Sequence, residues 1–424
     1  MTRNIIGVLL LLAICSACSK DKLAKTICLT NVIDVERIDE SFVIKRDNLG
    51  ASRTDLLPII SDEEGSLVPF QLDDMDADGT WDELAFVYTL GKREKAILNI
   101  KWVTKEELPT FNARTNIRYG KMTAPGHIEE LTSDFRTPKD SFPPDRYPYQ
   151  MDGVAWENDL IAFRHYFDGR NNRDVYGKRV SAMVLDTVGI GNDGHPANSY
   201  QTLNEWGRDI LNVGGSFGLG GLAIMSADTI IQLGDIRTGR KENIDSTYYR
   251  LITKGAVRSV LQLKYKGWAT GTNKINLLQT ITIWAGKHNY ENIIEAENIP
   301  HGFNLVTGIV RSLNREPLVE KQSEKFYLMM THDRQTTDPL NYMGMALMIP
   351  KQNFVTAFDT PDVGNNIVGT WCAKLGLNTE NIVTFDAYAA WELQDPQFSD
   401  RDYFIKYIES EAYKKDHPVK ISIK

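Results

Sequence analysis

Cysteine is scarce in this chain of 424 residues: there are four, and two of them, Cys15 and Cys18, sit close to the N-terminus. Cys28 and Cys372 are left to form one long-range disulfide or to stay as buried thiols. No cysteine–histidine spacing suggests structural zinc, and the seven histidines nowhere form His-x-x-x-His. Gly-x-Ser-x-Gly is missing, so a serine-hydrolase elbow has no support. There is no Gly-Lys-Ser or Gly-Lys-Thr either. Gly218-x-Gly220-x-x-Ala223 fits a loose dinucleotide fingerprint, but its glycines follow an expected helix and lead into an expected strand, the reverse of the required context. No nucleotide is expected; a close-packed backbone loop lining a cleft accounts better for Gly214–Gly221. The formal charge is −8 with no basic stripe, which argues against a nucleic-acid partner. After residue 14 no apolar run is long enough for a membrane-spanning helix.

What is present begins with a targeting segment. Arg3 precedes a ten-residue apolar run, Ile5 to Ile14, too short to span a membrane. Ser16 and Ala17 then precede Cys18 in the manner of a bacterial lipobox. Residues 1–17 are therefore expected to be a signal peptide, with Cys18 lipidated and residues 18–27 a tether. A plain secretory signal is the alternative. Ser19 to Lys22 is not acidic, so the expected location is the periplasm, anchored to the membrane by lipid.

With 42% hydrophobic and 25% charged residues, the mature chain is globular rather than disordered. Its patterning is that of strands. Ser41–Lys45, Leu56–Ile60, Leu67–Leu72, Glu83–Leu90 and Ile97–Val103 are short β-rich runs that predict a small β-domain over 28–108. Between two of them, Asp74, Asp76, Asp78 and Asp82 with Gly79 have the spacing of an oxygen-ligand loop for structural Ca2+. Ala85 stands where an EF-hand needs Glu, and an acidic hairpin tip is the plainer account. Residues 109–150 hold six prolines and no periodicity, and are expected to connect domains.

Residues 151–424 predict the large domain. Alternation is clear in 257–265 and 277–284, and continues through 288–297, 303–311, 325–331, 342–349 and 381–393. So many antiparallel strands imply two large stacked sheets. The fold expected is all-β, with a few short helices. One helix is predicted from the capping box Thr202–Glu205, with Leu203, Trp206, Ile210 and Leu211 on one face. A second starts near Ser399, with Phe404, Tyr407 and Ile408 on its buried side.

The stretch Asp159–Lys178 concentrates the chemistry. Its apolar run Leu160–Phe163 leads straight into cations, carboxylates, a histidine and two tyrosines. His165, Tyr166, Arg170 and Tyr176 are the candidate acid–base or charge-neutralising groups. Arg164, Asp168 and Lys178, with Glu205 and Trp206 and the distant His332, are candidate substrate contacts. Aromatic rings stack on sugar C–H faces while charged groups bond hydroxyls or uronate carboxylates, so the mixture suits a glycan. Strand alternation puts Arg164 and Tyr166 on one face and His165 and Phe167 on the other. A solvated hairpin tip is the plain alternative.

The segments RHYFDGRNNRDVYGK (164–178), LNEWGRDILNVGGSFGLGGLA (203–223) and VPFQLDDMDADGTWDELAF (68–86) resemble the DUF4861-type family of bacterial lipoproteins. The resemblance runs from about residue 30 to the C-terminus. It implies a large β-domain similar to the galactose-mutarotase-like supersandwich, and an association with polysaccharide degradation; it brings no settled activity. The expected function is carbohydrate-active, most concretely a lyase on uronate-containing glycans. In that reading an arginine neutralises the carboxylate, and Tyr166, Tyr176 or His165 moves protons, a tyrosine beside arginine having a lowered pKa. A hydrolase would need two carboxylates instead, such as Asp168 with Glu205 or Asp209. A non-catalytic glycan-binding lipoprotein and a sugar epimerase or mutarotase are the alternatives.

Overall fold

The computed structural model describes residues 23–424 apart from 53, 141–147, 228, 235–241, 312 and 365–366. The signal peptide, Cys18 and most of the tether lie outside the described residues. The described chain is all-β, with one long helix, Arg401–Asp416.

The small N-terminal unit holds two sheets. One runs in the order Lys420–Ile423, Thr26–Thr30, Lys95–Val103, Leu57–Ser61, so the last strand of the chain returns to pair with the first. The other is Arg37–Lys45, Glu83–Leu90, Phe70–Asp73. Alternation drives the pairing: in Lys95–Val103 every second side chain is buried almost throughout. Arg258 of the large unit bonds Asp73 and Glu83, and Gln71 accepts from the backbone N–H groups of Val257 and Arg258 at 3.0 Å. These contacts lock the small unit against the large one.

The large unit is built on a nine-stranded antiparallel sheet. Its order is Ser133–Arg136, Ser246–Thr253, Arg258–Thr270, Asn273–Trp284, Asn289–Glu297, Ile382–Trp391, Tyr342–Pro350, Phe326–Arg334, Val319–Gln322. Two five-stranded sheets face it across one continuous core. The first is Gly207–Asp209, Arg173–Lys178, Ile161–Tyr166, Gly153–Asn158, Thr115–Arg118. The second is Thr229–Gln232, Ala223–Ser226, Phe303–Val310, Thr370–Leu375, Phe354–Asp359. The glycine-rich segment splices them into one layer. Arg173 donates its N–H to Phe217 O, while Gly220 donates to Gly308 O and Val310 to Gly218 O. A Cβ on Gly218 would lie 1.7 Å from Arg173 O, so only glycine admits that splice. The helix Arg401–Asp416 covers the other face of the nine-stranded sheet, burying Phe404, Ile408 and Ala412 against Leu328, Met330 and Met348.

Two expectations are corrected, and one open choice is decided. The stretch read as a connector carries strands: Thr115–Arg118 and Ser133–Arg136 are edge strands of the two facing layers, and Gly120–Ala124 pairs with His127–Glu130. The helix expected over 202–211 is absent; Gly207–Asp209 pairs as a strand with Tyr176–Lys178. Cys28 and Cys372 are both free thiols.

Candidate functional site

Strands Gly153–Asn158, Ile161–Tyr166 and Arg173–Lys178 are buried on both faces. Ile161, Phe163 and Val175 point into the core between the layers. The outer face carries Ala155, Ala162 and Tyr176, covered by Val184, Leu185, Val188, Tyr200 and Trp206 from the long loop beyond residue 178. At one end that cover stops, and a cavity of about 480 Å3 opens. Tyr166, Arg170, Asn172 and Asp209 form one side, and Leu211 to Gly214 with Thr337 another. Thr337 comes from a distant loop that Arg208 pins: its guanidinium donates to Asp338 O at 2.8 Å, Thr337 O at 2.8 Å and Pro339 O at 2.6 Å.

Behind this wall is a compact charged network. Arg164 is buried, and its guanidinium bonds Asp174, Tyr166 Oη at 2.5 Å and Asp209 Oδ2 at 3.1 Å. The Tyr166 hydroxyl donates to Asp174 Oδ2 at 2.8 Å. Arg164 and Arg170 both sit over the Tyr166 ring, at 4.2 and 4.0 Å from its centroid. Arg170 also bonds Asp168 and lies 3.4 Å from Asp152. Four carboxylates thus surround two guanidinium groups.

That surplus of acid decides the protonation states. Burial pushes the Asp209 carboxyl well above the usual carboxylate range; neighbouring Asp174 adds to the push and Arg164 opposes it. Burial and Asp174 thus favour the protonated form of Asp209, in the manner of two carboxyls crowded together. Burial likewise raises Tyr166, with Arg164 opposing and Asp174 and Asp209 adding. The expected lowering of a tyrosine beside arginine does not occur, because burial and the two carboxylates outweigh the cation. Tyr166 is a neutral phenol.

The proposed site residues part company in space. Arg164, Tyr166, Asp168 and Arg170 come together at the cavity wall. His165 points the other way, into the core, where it meets Arg173 and lies 3.3 Å from Tyr265 Oη. Tyr176 is fully buried beneath Arg164, 5.0 Å from the guanidinium, and its hydroxyl has no partner. Lys178 is sealed in a pair with Glu157 at 2.6 Å. Trp206 packs on Tyr176 and lines no part of the cavity, and Glu205 is exposed beyond it. His332 is remote, its Nε2 donating to Phe398 O at 2.8 Å under the C-terminal helix. Asp174 was not among the candidates, and Asp209 was named only as an alternative hydrolase carboxylate beside Asp168. Asp174 stands directly across from Arg164 in the strand register, a cross-strand pair that alternation could have found. The helical reading of 202–211 concealed that Asp209 lies against Arg164.

In the small unit, carboxylate oxygens of Asp74, Asp76 and Asp78 lie within 4.8 Å of one another. Asp82 turns away to accept from the Met75 N–H at 2.6 Å.

Residues 29–421 match the family described as "Domain of unknown function (DUF4861)", and the chain belongs to that family. It is similar to "Uncharacterized protein P7" of Formosa agariphila, 21% identical over 426 residues and covering 96% of each chain. Among solved structures it is similar to an α-mannosidase from Enterococcus faecalis V583, with TM-score 0.49 and 8% identity over 95% of this chain and 46% of that one. A glycosyl hydrolase family 38 protein from Enterococcus faecalis has TM-score 0.49 and 9% identity over 95% of this chain and 47% of that one. The chain spans about half the length of these two solved structures.

Proposed function

We propose that this member of the family is a carbohydrate-active enzyme that binds a glycan in the Tyr166–Asp209 cavity and cleaves it by proton transfer. One arrangement carries the reading: a cavity-lining carboxyl, Asp209, pushed well above the usual carboxylate range by burial and by neighbouring Asp174, stands beside a cavity-lining phenol, Tyr166, that bonds the same Asp174. Asp209 supplies the proton to the departing glycosidic oxygen. A nucleophilic water gives its proton to Tyr166 Oη as the Tyr166 proton passes to Asp174, 2.8 Å away. Arg164, 2.5 Å from the same oxygen, steadies charge that develops there. Contact between Asp174 and Asp209 lets the proton return. Asn172, Thr337 and the Tyr166 hydroxyl supply hydroxyl-bonding groups along the wall.

Charge points to a neutral sugar at the reacting position. A lyase acting on a uronate needs a cation for the substrate carboxylate, and Arg164 and Arg170 already serve Asp174, Asp209, Asp168 and Asp152. A neutral sugar has no carboxylate-activated C–H, so hydrolysis rather than elimination follows. The test is a panel of neutral and uronate oligosaccharides, read for new reducing ends and for absorbance of an unsaturated product. New reducing ends from a neutral glycan without an absorbance rise are expected. An absorbance rise on a uronate substrate would replace hydrolase with lyase. Binding by calorimetry with neither product would reduce the protein to a glycan-binding lipoprotein.

A further inference from the structure

The first cavity does not end at the Gly214 turn. A second cavity of about 400 Å3 begins on its far side, and Val213 and Gly214 line both. The ridge between them is low because its crest is Gly214–Gly215, which carries no side chains. Gly214 has φ of +53°, and a Cβ there would meet nothing closer than Asn212 Oδ1 at 3.9 Å. The ridge is also fixed. Ser216 closes the turn onto Val213 O through its N–H at 3.1 Å and its hydroxyl at 2.6 Å, and Val368 donates its N–H to Gly215 O at 3.2 Å.

The far cavity has its own unused polar group. Asn314 lines it, is buried, and leaves Nδ2 with no hydrogen-bond partner among the described residues. The orientation of that amide is set by Oδ1, which accepts from the Glu316 N–H at 2.7 Å, so the other end of the amide must be the NH2. A buried amide donor without an acceptor is a standing cost that a bound oxygen removes. Arg311 on the same rim is taken by Asp362 at 2.6 Å, Asp359 at 3.1 Å and Thr360 O at 2.7 Å. One cation against two carboxylates does not suit an anion. Hydroxyl and ether oxygens suit a lone amide donor.

We infer that the second cavity is a further sugar subsite and that the substrate is an oligosaccharide whose neutral units lie on both sides of the Gly214 ridge. This rests on the glycan reading of the first cavity. It makes affinity depend on chain length: a monosaccharide fills one cavity, and a longer chain gains the second by crossing the ridge.

The experiment is calorimetry on the full chain with gluco-, manno-, galacto- and xylo-oligosaccharide series from monosaccharide to hexasaccharide. Wild type, Asn314→Ala and Gly214→Asn are compared, with melting curves to confirm that each variant is folded. Asparagine tolerates the left-handed backbone at 214 and raises the ridge. Affinity in the wild type is expected to rise with length. Asn314→Ala should weaken the longer ligands by about tenfold, the loss of one hydrogen bond at the upper end of its range. Gly214→Asn should flatten the length dependence, and Asn314→Ala should leave monosaccharide affinity unchanged. A length dependence that survives both variants would overturn the second subsite while leaving the first cavity intact. No binding at any length would overturn the glycan reading itself and this inference with it.

Discussion

Strands Ile161–Tyr166 and Arg173–Lys178 carry buried charge at both of their ends, and the two ends are built differently. At the closed end Lys178 donates to Glu157 Oε2 and to Asn158 O, each at 2.6 Å, and Glu157 Oε1 accepts from the Val184 and Leu185 N–H groups at 2.8 Å. One cation meets one anion, every strong acceptor is used, and neither side chain has any exposure. At the open end, four carboxylates crowd two guanidinium groups, Asp209 is pushed toward its protonated form, and the wall faces a cavity. A balanced, sealed pair has nothing left to offer a substrate. An unbalanced cluster at a cavity has a proton to give. Both ends follow from the same alternation, which puts Glu157, Arg164, Asp174 and Lys178 on one face. The cover decides between them: the loop after residue 178 closes over one end and stops short of the other.

The largest effect should come from taking the proton away at the open end. Asp209→Asn keeps the shape of the neutral carboxyl but donates no proton, so turnover should fall by about 10²–10⁴-fold. The melting temperature should hardly move at acidic pH. The sign at higher pH is fixed by linkage. A carboxyl raised above its ordinary 3.8 binds more protons in the folded than in the unfolded state, so its contribution is fully present at low pH and is lost as pH rises toward the raised value. The amide removes that dependence, and the variant should gain stability relative to wild type as pH increases. Retained turnover together with a large loss of stability would make the open end as structural as the closed one, and the comparison would collapse.

Next in size is the closed end. Lys178→Met leaves Glu157 buried without its cation, which should cost about 3–5 kcal/mol in urea unfolding. Burial pulls the Lys178 ammonium below its usual range, against the attraction of Glu157, so the pair is held in place by its partners rather than by any ease of burying charge. A variant that unfolds like wild type but no longer acts on glycan would show that Lys178 serves substrate, as its sequence neighbourhood suggested.

What could be read beforehand divides along the same line. The six strands of the nine-stranded sheet from Arg258–Thr270 through Phe326–Arg334 in sheet order were legible because residues such as those of Asn289–Glu297 alternate strictly once the strand is under way, whereas the short Ser133–Arg136, Ser246–Thr253 and Val319–Gln322 were not read. The face shared by Arg164 and Tyr166 was legible for the same reason. The covering loop was not, since nothing local in 179–206 marks it as a lid over Tyr176 and Lys178. Leu203, Trp206, Ile210 and Leu211 do have helical spacing, but Gly207 lies at φ of +137° where a Cβ would be 1.8 Å from Gly177 O. That backbone approach makes a strand edge and turns Asp209 toward the cavity. Thr337 reaches the site through the bonds that Arg208 makes and through its own hydroxyl and N–H, which donate to Asp209 O and Ile210 O at 3.0 Å, all across a long sequence separation that periodicity does not encode.

A third cluster of acid tests the idea from the other side, with the smallest expected effect. Asp74, Asp76 and Asp78 are as crowded as the open end, yet the one guanidinium recorded there among the described residues, Arg250, meets the Asp76 carbonyl at 3.4 Å rather than a carboxylate, and Asp76 and Asp78 are exposed. We propose that calcium binds there. Backbone donors already do part of a cation's work: Asp74 accepts from Ala77 at 2.7 Å, Asp78 at 3.2 Å and Gly79 at 2.8 Å. Water screens what repulsion is left. Added calcium should therefore raise the melting temperature only modestly, bounded by mass action at about 2.7 kcal/mol for a hundredfold excess over Kd. Asp76→Asn should abolish the rise, and turnover should be indifferent to both. Melting curves that coincide in EDTA and in calcium would dispose of the metal. A loss of turnover in EDTA would be more damaging, because it would couple this loop to a cavity on the far unit. The connection available for that is Asp73, next to the cluster, which accepts from Arg258 Nε at 2.9 Å and from the Thr253 hydroxyl at 2.7 Å. That pair is sealed like Lys178–Glu157, so strain at the exposed loop should stop there.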